Sequence, residues 1–188
     1  MLLCITRFIG VAVLAFVVSA CSMVTKHKYQ SIGHSKRPSV ERIKFDPSTL
    51  KQGSGEVAHL VGRVYLRDNQ LFQEYVGAQV KVVLNPVSQT STQWFKEVCQ
   101  RGKRLVGEVD PLYEHAMFIV KSNDYGQFAF PNVPTGEYYI SSRIYRWDET
   151  PFSGPVEYGG LLAKKVTLTV GAVSVDLNQQ NACPGYYH

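Results

Sequence analysis

Cysteine thiols are the side chains here most able to do chemistry, and there are four: Cys4, Cys21, Cys99 and Cys183. A thiolate can be acylated, cross-linked, used as a nucleophile or bound to a metal. Spacing narrows the choice. No CxxC occurs and the histidines are not clustered, so no zinc-type ligand set is read and no metal or cofactor is expected. HExxH is absent, and His59 and His115 lack acidic or histidine neighbours at ligand spacing. GxSxG and the phosphate-binding P-loop are missing as well, and no catalytic residue is assigned. The adjacent carboxylates Asp148-Glu149 fall in a stretch read as loop, where solvated acids are the ordinary reading. Cys21 stands apart because of what precedes it. Arg7 is followed by thirteen mostly apolar residues, Phe8 to Ala20, ending in the small pair Ser19-Ala20. A basic start, an apolar run and small residues at the cut form the layout of a secretory signal peptide.

The run Val18-Ser19-Ala20-Cys21-Ser22 resembles the lipobox of bacterial lipoproteins, with Val18 where Leu is commoner. The resemblance implies that residues 1–20 are removed and that Cys21 is acylated as the first mature residue, holding the protein to the membrane. In resembling proteins Asp after the cysteine favours the inner membrane. Ser22 therefore implies the outer membrane, with the protein facing the periplasm. The other reading is an uncleaved membrane helix, but thirteen residues span only about 20 Å of a ~30 Å hydrocarbon core. With Cys4 lost and Cys21 lipidated, Cys99 and Cys183 remain. In an oxidising periplasm they are expected to pair, two free buried thiols being the alternative.

Charge is unevenly spread. Residues 22–55 carry seven basic side chains against Glu41 and Asp46, a net +5; residues 56–188 carry twelve basic and thirteen acidic, a net −1. Residues 21–55, polar and without an apolar period, read as a lipidated, flexible basic tether. Its charge suits contact with anionic headgroups, an anionic polymer or a glycan. No basic groove with interleaved aromatics occurs, so nucleic acid is not expected as a partner.

Period-two patterning begins at His59. Leu60, Gly62, Val64 and Leu66 alternate with polar or surface-type residues, as do Val80, Val82 and Leu84; Tyr138, Ile140, Ser142 and Ile144; Val166, Leu168 and Val170; and Val173, Val175 and Leu177. Such alternation marks strands with one buried face. Turn-forming residues separate them, at Asn123-Asp124-Tyr125-Gly126, Pro134-Thr135-Gly136 and Gly159-Gly160 among others. No long amphipathic helical period appears, though Gln93–Gly102 suits a short helical turn. The reading is an all-β domain, a β-sandwich of about seven short strands over residues 56–188.

The stretch from Asn123 to Ile140 carries Asp124, Gly126, Phe128, Phe130, Pro134, Gly136 and Tyr138 at the spacing D-x-G-x-F-x-F-x-x-x-P-x-G-x-Y. It resembles the signature of carboxypeptidase regulatory-like domains, as do Val61-Gly62-Arg63-Val64-Tyr65 and Val76–Val82 upstream. Those domains are transthyretin-like, or prealbumin-like, seven-stranded Greek-key sandwiches. The resemblance implies that fold over about 58–178, and no chemistry, since in the parent enzymes a separate domain holds the zinc. Asp124 and Gly126 are expected to build a hairpin turn, Phe128 and Phe130 to enter the core, Pro134-Thr135-Gly136 to reverse the chain, and Tyr138 to start the next inward row.

Two long insertions remain. Arg146 to Gly160 reads as an aromatic and proline-rich loop containing Trp147, Phe152 and Tyr158; Ser88 to Met117 contains Trp94, Phe95 and Cys99. Trp94, Trp147, Phe152 and Tyr158 form the candidate binding surface, because aromatic rings with polar tips concentrate at recognition sites. Their other role would be to cap the core. The expected function is non-enzymatic: a lipid-anchored envelope lipoprotein that binds envelope protein partners or supports an outer-membrane or secretion assembly. A small-ligand or glycan binder using the 146–160 aromatics is the alternative, and an unrecognised hydrolase the third.

Overall fold

Alternation along the chain is realised as alternation of burial. In β2 (Gln52–Asp68) Ala58, Leu60, Val64 and Leu66 face inward; in β4 (Lys81–Pro86) Val82 and Leu84 do so. The computed structural model describes residues 37–68, 73–150 and 154–187. The signal segment, Cys21, the tether as far as Lys36, and Phe152 lie outside the described residues.

The remaining strands are β1 (Ser39–Glu41), β3 (Gln73–Val76), β5 (Arg104–Val106), β6 (Phe118–Lys121), β7 (Gln127–Thr150), β8 (Gly154–Leu168) and β9 (Gly171–Leu177). Two short helices, α1 (Gln89–Gln93) and α2 (Pro111–His115), interrupt them, and α1 continues as a π-helical turn, Trp94–Gln100. The described residues thus hold nine strands where seven were expected. Seven form one hydrogen-bonded sheet, while β1 and β5 make a separate parallel pair.

That sheet curls over itself into two layers because β7 serves both. Its first part pairs antiparallel with β2, which also pairs with β3 and, in parallel, with β9. Its later part pairs antiparallel with β4 and β8, and β6 closes the far side of β4. Between the layers lie Leu60, Val64, Leu84, Phe128, Phe130, Val133, Tyr138, Ile140, Leu162, Leu168 and Leu177, in one apolar cluster.

The motif residues are positioned by this crossing, which changes three details of the sequence reading. Asn123–Gly126 does not close a hairpin, since β6 pairs with β4 and the start of β7 pairs with β2; the turn carries the chain from one layer to the other. Asn123, not Asp124, builds it, its Oδ1 accepting from the amides of Tyr125 and Gln127, while Asp124 accepts from Gln79 Nε2 at 2.8 Å. Gly126 sits at φ 74°, and a Cβ there would crowd the Val64 carbonyl. Third, Pro134-Thr135-Gly136 does not reverse the chain. β7 runs on through it, and Gly136, at φ 142°, passes so close to Lys51 that a Cβ would overlap the Lys51 carbonyl.

Tyr138 is fully buried beyond this bend. Its hydroxyl donates to the Pro134 carbonyl (2.7 Å) and accepts from Gln52 Nε2 (3.0 Å), so the buried polar tip is satisfied. Burial pushes its phenol above the usual range, the Gln52 bond opposing.

The tether ends earlier than residue 55. Residues 37–55 are folded: β1 pairs with β5, and the Phe45 ring is buried against Tyr113 at 5.3 Å between centroids. Gln93 fixes the same segment, accepting from the Ile43 amide and donating to the Glu41 carbonyl. A lone Phe and short strand make no period, which is why the composition of this stretch concealed its fold.

Candidate functional site

The segment 146–160, expected as a loop, is a β-hairpin arm. β7 and β8 stay in register from Gly136↔Leu168 out to Thr150↔Gly154, including Arg146↔Tyr158 and Trp147↔Glu157. Directly opposed residues in an antiparallel pair share a face, so Arg146 and Tyr158 continue the side on which Ile144 is buried. That inner side meets the end of β2 and β3. There Tyr75, paired with Leu66, packs against the rim of the core.

Arg146 is held between two rings at this meeting point. Its guanidinium carbon lies 3.4 Å from the centroid of Tyr75 and 5.5 Å from that of Tyr158. Asp68 Oδ2 stands 3.9 Å from Arg146 Nη1. A planar cation over a ring face is attracted by the ring quadrupole, more so when partly desolvated, and the Arg146 side chain is only 18% exposed. Tyr75 is oriented in turn by donating to Gln73 Oε1 at 2.6 Å. Tyr158 keeps 45% of its surface exposed, leaving part of the residue open to a ligand.

A second cationic-aromatic group continues along the same end of β2. Tyr65 lies beside Arg63 (5.5 Å) and Arg67 (5.8 Å), Glu74 bridges both arginines at 2.6 and 3.5 Å, and Asn178 Nδ2 donates to the Tyr65 hydroxyl. The two groups lie on opposite faces of the β2–β3 ribbon: Asp68, Tyr75, Arg146 and Tyr158 share the inner side with Leu66, while Arg63, Tyr65, Arg67 and Glu74 take the outer one. Rings that stack on C–H faces, beside charged groups that bind hydroxyls, can hold a polar ligand without chemistry being done to it.

The groups whose titration shifts lie elsewhere. Glu137 is held low by hydrogen bonds from Lys165 and Lys51, and Glu97 by Lys103, both as structural ion pairs. Burial raises Tyr113, whose hydroxyl accepts from Asn85 Nδ2 at 2.6 Å.

Comparison with protein-family models and with curated proteins returns no match. Among solved structures the chain is similar to a candidate carbohydrate binding protein of Pseudomonas aeruginosa, with 21% identity and a TM-score of 0.57, over 68% of this chain and 92% of that one. The likeness is one of fold.

Of the four expected surface aromatics, Tyr158 lies in the cluster and Trp147 on the arm beside it in sequence, though the Trp147 side chain, like Phe152, is outside the described residues. Trp94 belongs to another place. It is half-buried with Phe95 and Val98 in a small apolar cluster around Cys99, Cys183, Leu161 and Ala163, where it covers the outer face of β8. Cys99 and Cys183 are joined, with Cα atoms 4.6 Å apart, within the range a disulfide spans. Tyr75 and Asp68 were not singled out in the sequence. Their signal is weak, because only the pairing of β3 with β2 brings them to Arg146.

Proposed function

We propose that the protein is a non-catalytic carbohydrate-binding module carried at the cell envelope by lipid on Cys21. The observation that carries the reading is the Tyr75–Arg146–Tyr158 group where the hairpin arm meets β3, with Asp68 beside it. The fold shared with a candidate carbohydrate binding protein adds support. Sugar rings present apolar C–H faces that pack on aromatic rings, and Tyr158 offers such a ring at the surface. Isothermal titration against a panel of soluble glycans tests it. Tyr158→Ala is expected to weaken the best ligand at least tenfold, about 1.4 kcal/mol, with the thermal midpoint within a few degrees of the parent. A panel with no binder, or an unchanged Tyr158→Ala affinity, would remove the proposal.

The anchor rests on Val18-Ser19-Ala20-Cys21. Cys21→Ser is expected to abolish palmitate labelling and release the protein from membranes; persistent labelling would show that Cys21 is not the lipid site. Docking to envelope protein partners is the competing reading. It is favoured by the edges of β6 and β9, which among the described strands pair only with β4 and β2 and suit strand addition.

A further inference from the structure

The outer faces of the two layers differ. On the β4–β7–β8 layer Tyr139, Leu161 and Ala163 point outward yet are buried, because the Trp94–Gln100 turn covers them, Phe95 stacking on Tyr139 at 4.5 Å. On the β2–β7–β9 layer the outward row stays open: Val61 is 44% exposed, and Arg63, Gln127, Ser174 and Asp176 stand around it. Together with Gly62 and Phe128 they line a groove of about 380 Å3.

Strand register places these groups. Arg63 lies opposite Gln127 on β7 and Asp176 on β9, and Val61 opposite Ser174. Arg63 is fixed before any ligand arrives, its Nε donating to the Tyr125 carbonyl at 2.9 Å and its Nη1 pairing with Glu74 at 2.6 Å. The Gln127 side-chain oxygen accepts from Asn123 Nδ2 at 3.0 Å, which leaves its amide nitrogen as a donor toward the groove.

We propose that this groove is a second saccharide subsite, for neutral pyranose units with adjacent free hydroxyls; it rests on the carbohydrate reading of the protein. A hydroxyl that donates to Asp176 while accepting from Arg63 or Gln127 satisfies both partners, and Ser174 can serve either way. Val61 meets the apolar ring face. The opposed charges of Arg63 and Asp176 disfavour a uronate, whose carboxylate would face Asp176 while Arg63 is already paired with Glu74.

The test titrates isotope-labelled full chain, in mild detergent, with chitotetraose, cellotetraose and maltotetraose, and with trigalacturonate as the acidic probe. Amide shifts are followed at Val61 and Ser174 and at the arm. The expected result is that a neutral tetrasaccharide shifts both regions, that Asp176→Asn with Gln127→Ala weakens the groove at least tenfold, and that the groove shifts persist in Tyr158→Ala. Asp176 and Gln127 are exposed, so an unchanged thermal midpoint identifies the effect as local. Shifts confined to the arm would overturn the groove and leave the carbohydrate reading standing. Absence of shifts with all four probes would overturn both, and tighter binding of trigalacturonate in the groove would overturn the neutral class.

Discussion

A chain carrying Cys99→Ser and Cys183→Ser is expected to lose about 2–5 kcal/mol of stability, read as a lower denaturant midpoint than that of the oxidised parent. The bridge closes a sequence separation of 84 residues, for which the chain-entropy argument alone gives between 4 and 5 kcal/mol, roughly. Local packing adds a reason for a loss in the folded state. The Cys183 amide donates to the Leu161 carbonyl at 2.9 Å, Ala182 bridges to Leu162, and Gly102 and Gly185 pack backbone to backbone. The bridge therefore holds the C-terminal segment and the π-helical turn on the outer face of β8, over Leu161 and Ala163. Replacing both cysteines avoids a stray thiol, so the measurement reports the cross-link. A loss below about 1 kcal/mol would mean that the surrounding cluster holds this layer without the bond.

How far the sequence disclosed this architecture depends on the kind of contact. Inward rows such as Val82 and Leu84, or Leu60 and Val64, were legible because a two-layer core imposes period two on each strand. Tyr139 broke the rule: its place in the alternation is outward, but it is buried under Phe95, from a segment some forty residues earlier. Periodicity records which side of a strand a residue takes, not whether something covers that side. The arm shows the same limit. Pro151, Pro155 and the glycines of 146–160 read as loop, yet the ladder between β7 and β8 persists to Thr150↔Gly154, leaving three residues between the strands. The candidate site suffers most. Tyr158 was visible as an aromatic in an odd segment, whereas Tyr75 and Asp68 acquire meaning only through the pairing of β3 with β2. The motif Asp124 to Tyr138 marked the core correctly at Phe128, Phe130 and Tyr138, but its turns serve a strand that changes layers.

Phe130→Ala is expected to cost about 3–5 kcal/mol, the range for emptying a buried aromatic site. The ring is only 2% exposed, and Phe130 pairs with Leu60, itself fully buried, across β2 and β7. It meets Phe128 edge to face, with centroids 5.9 Å apart and planes at 67°, a geometry worth about 0.5–1.5 kcal/mol beyond the area buried. Neighbours cannot easily collapse into the space. Tyr138 is tied at its hydroxyl to Pro134 and Gln52, and the backbone of β7 is committed to β2 on one side of the bend and to β4 and β8 on the other. Ile119→Ala supplies the contrast: it is equally apolar and lies in a strand of the same sheet, but its side chain is 54% exposed, and a change within about 0.5 kcal/mol is expected. Urea unfolding of the two variants separates the possibilities. Similar small losses would place Phe130 at a yielding rim, whereas a gap of 3 kcal/mol or so would locate the least compressible part of the core where β7 leaves one layer for the other.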